Sequence, residues 1–182
     1  MINSSLKRAV AIAILAGASV GANATTTNLG TISPSASTGF AGTVLGGGQS
    51  FSDIFSFNFS GSNTGAHFDV QDVPTTVSQA VTFNGILTAI SLFSAGANGV
   101  VGGGDDSLLA SSISPGGNSL SLDYAQSLSG SSYITVTGVS NGSSGAIFAG
   151  QIAPIPEPET YAMLLAGLGL MGAVVRRRSA RK

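Results

Sequence analysis

An all-β body, folded as an antiparallel β-sandwich or jelly roll, is predicted for the middle of this chain, and three observations carry the prediction. Apolar and polar residues alternate with a period of two in several runs between Thr25 and Ile155; clusters of Gly, Asn and Ser punctuate those runs; and no stretch there keeps a helical period for more than a turn or two. Several short strands without crossover helices leave the antiparallel two-layer architectures. About 130 residues suffice for one domain of ordinary size.

Thr25 to Gly39 is rich in Ser and Thr and broken by Pro34. The clearest alternation follows: a strand over 51–59 puts Phe51, Asp53, Phe55, Phe57 and Phe59 on one face and Ser52, Ser56 and Asn58 on the other. Val77, Val81 and Phe83 share a parity, Asn84-Gly85 suits a two-residue type I′ turn, and Ile86, Ile90 and Leu92 continue the face. That pattern predicts a hairpin in which Phe83 pairs with Ile86. Leu120, Leu122 and Tyr124 alternate after the turn Ser114-Pro115-Gly116-Gly117-Asn118. Tyr133 to Val139 and Ala146 to Ile152 flank Asn141-Gly142-Ser143-Ser144-Gly145 as a last hairpin. Gly46-Gly47-Gly48 and Gly102-Gly103-Gly104 read as loops, since neither has the Lys or the following helix of a phosphate cradle.

Composition narrows the chemistry. The 182 residues include no Cys and no Trp, which excludes disulfide scaffolds, thiol catalysis and Cys-ligated metals. All seven basic residues lie at the ends: Lys7, Arg8, Arg176, Arg177, Arg178, Arg181 and Lys182. Ala9 to Val175 therefore holds no cation and eight acids, a formal charge of 0 − 8 = −8. Such a stretch does not bind nucleic acid, because phosphate neutralisation requires Lys or Arg.

Both termini carry address signals. Lys7-Arg8, the apolar run Ala9 to Val20 and Ala22-Asn23-Ala24 form the positive region, apolar region and A-x-A site of a secretory signal peptide over 1–24, cut after Ala24 by signal peptidase. The apolar run is too short to cross a membrane of ~30 Å. The exported domain then covers 25–153 and a sorting segment 154–182. That segment opens with Pro156-Glu157-Pro158-Glu159-Thr160, continues with the apolar run 161–175 and ends in the basic stretch 176–182. At ~1.5 Å per residue the run spans ~22 Å, a short transmembrane helix whose arginines snorkel to the interface. Basic residues after the run and none before it put Arg176, Arg177 and Arg178 on the cytoplasmic side.

The order of Pro156-Glu157-Pro158, Glu159-Thr160, the Gly-rich Leu164-Leu165-Ala166-Gly167-Leu168-Gly169-Leu170 and the terminal arginines resembles the PEP-CTERM sorting signal of Gram-negative bacteria. The resemblance implies recognition by an exosortase, a transient stay at the inner membrane, removal of the tail and delivery to the cell surface or extracellular space, in association with exopolysaccharide. Phe51-Ser52-Asp53-Ile54-Phe55, soon after the mature N-terminus, looks like the namesake motif of the FxDxF family of PEP-CTERM proteins. That likeness implies address and architecture, and it brings no molecular activity with it.

The remaining candidates are few. Asp53 lies within an aromatic row, and a buried carboxylate there needs backbone N–H groups, hydroxyls, His67 or a metal ion as partners. Asp69-Val70-Gln71-Asp72 and Gly104-Asp105-Asp106-Ser107 are oxygen-rich but lack EF-hand spacing, so they read as solvated loop acids or a weak extracellular calcium site. The calcium candidates are thus Asp53, Asp69, Asp72, Asp105 and Asp106. His67 is the only histidine, no G-x-S-x-G elbow surrounds a serine, and His67 reads as a surface or loop residue. The first expectation is a non-enzymatic, structural or adhesive surface component without a cofactor. A calcium-assisted carbohydrate-binding module and a hydrolase using an Asp pair are the alternatives.

Overall fold

The computed structural model describes residues 24–61, 65–155 and 158–179. Residues 1–23 of the expected signal peptide, Ala22 included, and the residues Pro156, Glu157, Arg181 and Lys182 lie outside them. Eleven strands precede one helix: β1 Thr26–Ile32, β2 Thr38–Leu45, β3 Ser50–Phe59, β4 Ala66–Asp72, β5 Thr75–Ser78, β6 Val81–Phe83, β7 Gly85–Ser94, β8 Ser107–Gly117, β9 Ser119–Tyr124, β10 Ser131–Ser140, β11 Gly145–Pro154 and α1 Pro158–Ser179. One sheet has the order β1-β3-β10-β7-β8 and the other β5-β6-β11-β4-β9, with β2 on the opposite edge of β11.

The inner faces follow the period of two. Phe51, Asp53, Phe55 and Phe57 of β3 are buried, as are Phe68 and Val70 of β4, Leu120 and Leu122 of β9, Ile134 and Val136 of β10, and Phe148 and Ile152 of β11. Aromatic rings join the two layers: Phe51 stacks on Phe148 at 5.2 Å, Phe40 of β2 meets Phe55 at 4.6 Å, and Phe57 meets Phe68 at 6.1 Å. Such pairs add a modest directional term to the burial of their area.

The all-β class stands, but the sheets are mixed rather than antiparallel. β1 runs parallel to β3, and β6 parallel to β11 at Phe83 and Gly145. The route of the chain is the reason: after β1 it forms β2 in the other sheet and returns as β3, which leaves β3 free to run in the direction of β1. The connections β1–β2, β2–β3, β3–β4, β6–β7, β8–β9, β9–β10 and β10–β11 all pass from one sheet to the other.

Both predicted hairpins are in fact such arches. A type I′ turn needs positive φ at both central residues, whereas neither Asn84 nor Gly85 has it. β6 instead pairs with β5, while β7 joins β10 and β8. β10 and β11 likewise belong to different sheets. The two turn segments bond to each other: Asn141 and Gly142 donate backbone N–H bonds to the Asn84 carbonyl at 2.7 and 3.0 Å, and Asn84 donates to Gly145 at 3.0 Å. A bulge also shifts the parity of β7, since Thr137 and Gly138 of β10 face Ala89 and Leu87 with Thr88 left over. Leu87 is therefore buried with Ile90 and Leu92, in place of Ile86. β8 runs through the segment read as a turn, and Pro115 is accommodated because β8 is an edge strand.

The tail forms helix as predicted, from Pro158 to Ser179, longer than 161–175 at both ends. Among the described residues no helix is long and apolar enough to cross a membrane. A run of 15 apolar residues falls short of the ~20 that span the hydrocarbon core, so the expected transmembrane helix is not what these residues display.

Candidate functional site

The acids on which any chemistry would rest fall into three places. Two are inside the sandwich. Asp53 is 2% exposed; its Oδ1 accepts the backbone N–H of Thr25 at 2.8 Å and the Thr25 hydroxyl at 2.7 Å. Its Oδ2 is buried without a hydrogen-bond partner. Burial pushes its pKa up, and the two Thr25 bonds pull it back. Asp72, at the end of β4, is 7% exposed, and burial raises its pKa to about 6 against the backbone amides of Gly85 and Val73. Those amides lie near enough to favour the carboxylate, yet neither oxygen receives a hydrogen bond of full geometry.

Glycine makes room for each buried acid. A Cβ on Gly42 of β2 would stand 2.9 Å from Asp53 Oδ2 and 2.3 Å from the Phe148 ring. One on Gly85 would stand 2.8 Å from Asp72 Oδ1. A side chain at Gly42 would have to displace the Phe148 ring, and one at Gly85 the Asp72 carboxylate.

The second place is the outer face of β4 and β9. His67 Nδ1 lies 2.5 Å from Asp123 Oδ1, its cross-strand neighbour, and His67 Nε2 lies 4.0 Å from Asp69 Oδ2. Asp69 also accepts Gln151 Nε2 from β11 at 2.8 Å. The histidine expected on a surface or loop thus stands on a strand, paired with an acid that the candidates did not include. Parity alone places His67 and Asp69 on one face; Asp123 joins them only through the β4–β9 register. With the Asp123 side chain 74% exposed, solvent screens the pair and it contributes little stability.

The third place is the loop between β7 and β8. Asp105 Oδ2 accepts the N–H groups of Ala97 and Asn98 at 2.8 and 3.2 Å, and Asp106 Oδ2 accepts Gly102 N–H and the Tyr133 hydroxyl, both at 2.7 Å. Burial, with Asp106 beside it, pushes the Tyr133 phenol up to about 12. These carboxylates cap their own loop. Among the described residues no group of three or more His, Asp or Glu is placed to hold a metal ion. The calcium candidates Asp53, Asp69, Asp72, Asp105 and Asp106 are therefore dispersed over the three places, not gathered into one.

The tail differs from all three. The described side chains of α1 from Met163 to Gly172, and Arg176, are exposed. Leu164, Leu165 and Leu170 are 61, 68 and 71% exposed. β11 ends at Pro154 and α1 begins at Pro158, so the last core strand leads into the tail within a few residues.

Comparison with known proteins bears on that tail. A family model for the PEP-CTERM protein-sorting motif matches residues 154–178. No curated protein matches the sequence. Among solved structures the chain is similar to the pre-peptidase C-terminal domain of a collagenase from Bacillus anthracis, with 14% identity over 71% of this chain and 93% of that one, at a TM-score of 0.38.

Proposed function

We propose that this chain is an exported protein whose β-sandwich is carried to the cell surface or matrix by an exosortase acting on its tail, and that the delivered domain has a structural or adhesive role beside exopolysaccharide. The sorting motif over 154–178 is the observation that carries this reading. In it, signal peptidase removes 1–24 and α1 engages the inner membrane transiently. The exosortase reads Pro156 to Thr160 and separates body from tail. The continuous exposed apolar run of α1 supports this role, because a core helix would bury one stripe of its surface. The delivered domain works without catalysis, its acids serving as acceptors in its own loops and core.

Mass spectrometry of the protein recovered from the matrix of exosortase-bearing cells tests the proposal. Peptides containing Arg176 to Arg178 should be missing from it, and a chain truncated after Ile155 should be released to the periplasm or medium. Recovery of the intact tail on matrix protein would replace sorting with permanent anchoring.

A further inference from the structure

Asp53 presents a problem that the precursor chain does not solve. It is a carboxylate 2% exposed, flanked on its strand by Phe51 and Phe55, in register with Val136 of β10 and close to Gly42 of β2. None of these neighbours, nor Thr25 and Thr26, has a titratable side chain, and the chain between Ala9 and Val175 contains no Lys or Arg. A buried carboxylate normally meets a cation or a full set of donors. Here one oxygen has two donors from a single residue and the other has none.

That residue is Thr25, the one that follows the A-x-A site. Its nitrogen lies 2.8 Å from Asp53 Oδ1, its hydroxyl 2.7 Å, and its carbonyl accepts the Ile54 N–H at 2.7 Å, so three bonds hold it against β3. Ala24, just before it, is exposed. We propose that Asp53 is the seat of the mature N-terminus: cleavage after Ala24 turns the Thr25 nitrogen into an α-ammonium that ion-pairs with the buried carboxylate. The inference rests on the export reading above and assigns it a structural consequence.

The chemistry balances without a further reactant. Hydrolysis puts the hydroxyl of water on Ala24, and the proton of that new carboxyl group passes through solvent to the Thr25 amine, leaving a carboxylate on the departing signal peptide and –NH3+ on Thr25. The ammonium keeps the existing bond to Oδ1 and adds two N–H donors beside an Oδ2 that lacks one. The exported domain thereby gains the one cation its strands lack, in the place where an uncompensated charge costs most. Maturation then latches the fold: the uncut chain meets the acid with dipoles only, the cut chain with a charge.

The test is amine labelling of the exported, purified full chain with an N-hydroxysuccinimide acetate ester, read by peptide mass spectrometry. Once 1–24 is gone, the only primary amines are Thr25 and Lys182, the latter an internal standard while the tail is present. The N-terminal peptide must start at Thr25; any other start overturns both the cleavage site and the latch. Given that start, the Thr25 amine should react at least ~10-fold more slowly in the folded protein than in urea, because an ion-paired ammonium is withheld from its nucleophilic free-base form. Asp53→Asn should abolish the protection. A second variant with one Ser inserted between Ala24 and Thr25 leaves every core residue in place but moves the charge outward. Its terminal amine should react at the unfolded rate, and its melting temperature should fall below that of the parent. An amine held by a carboxylate titrates above its usual 7.7–8.0, so the advantage of the parent is complete below about pH 7.7 and disappears as pH rises through the higher folded value. A Thr25 amine that labels as fast folded as unfolded, or equal melting temperatures for parent and insertion variant at pH 6, would overturn the latch and leave the export reading intact.

Discussion

The sandwich and the tail are both rich in apolar residues, yet they use them in opposite ways. In β3 and β4 burial alternates along the strand, and one face of each is buried between two sheets. In α1 they are nearly contiguous, and every described side chain from Met163 to Gly172 is exposed. Hydropathy in the body is spent on its own fold. Among the described side chains of the tail it has no partner within the chain. The contrast extends to charge, for the body has acids without cations and the tail ends in cations.

Removing an interior ring should produce the largest effect that sharpens this contrast. Phe148 is 1% exposed, stacked on Phe51 and edge-on to Phe55 at 6.1 Å. Phe148→Ala should cost about 3–5 kcal/mol in urea unfolding. Overpacking the same spot comes next: Gly42→Ala puts a methyl group 2.3 Å from the Phe148 ring and should cost about 2 kcal/mol in the same unfolding measurement.

A smaller effect separates the two buried acids from the solvated ones. The Asp72 pKa is raised to about 6 in the folded state from 3.8, so the folded protein binds the proton more tightly than the unfolded one. The contribution of Asp72 is therefore fully favourable below pH 3.8 and is lost as pH rises through 6. Asp72→Asn should stabilise the domain by about 1–2 kcal/mol at pH 7.5, after allowance for the nearby amides, and by much less at pH 4.5. Equal effects at the two pH values would show that Asp72 is already charged in the fold. On the outer face, His67→Gln should change stability by less than about 1 kcal/mol, as solvent-screened pairs do.

The smallest effect is expected in the tail. Leu165→Ser with Leu168→Ser should shift the melting temperature of the body by an amount corresponding to less than about 0.5 kcal/mol, since both side chains are exposed. A large shift would break the comparison by showing that α1 packs on the sandwich in solution. Retention of surface sorting in that variant would count against the role given to the apolar run.

What the sequence determined by itself is what depends on near neighbours along the chain. Phe51, Phe55 and Phe57 point inward with Asp53 because successive side chains on a strand alternate, whatever the partner strand. The tail helix and its sorting motif were legible for the same reason: the signal is a contiguous run of residue types in a set order. Tertiary structure alone decided which sheet each strand joins. Asn84-Gly85 and Asn141 to Gly145 have turn chemistry that suits a hairpin and an arch alike, and the choice depends on whether β7 and β11 find better partners across the domain. Nor could local pattern anticipate the extra residue at Thr88, which moves Leu87 into the core, or the strand register that sets His67 against Asp123. The partner of Asp53 belongs to the same class. Thr25 lies 28 residues away in sequence, and only the parallel pairing of β1 with β3 lays its backbone nitrogen against the buried carboxylate.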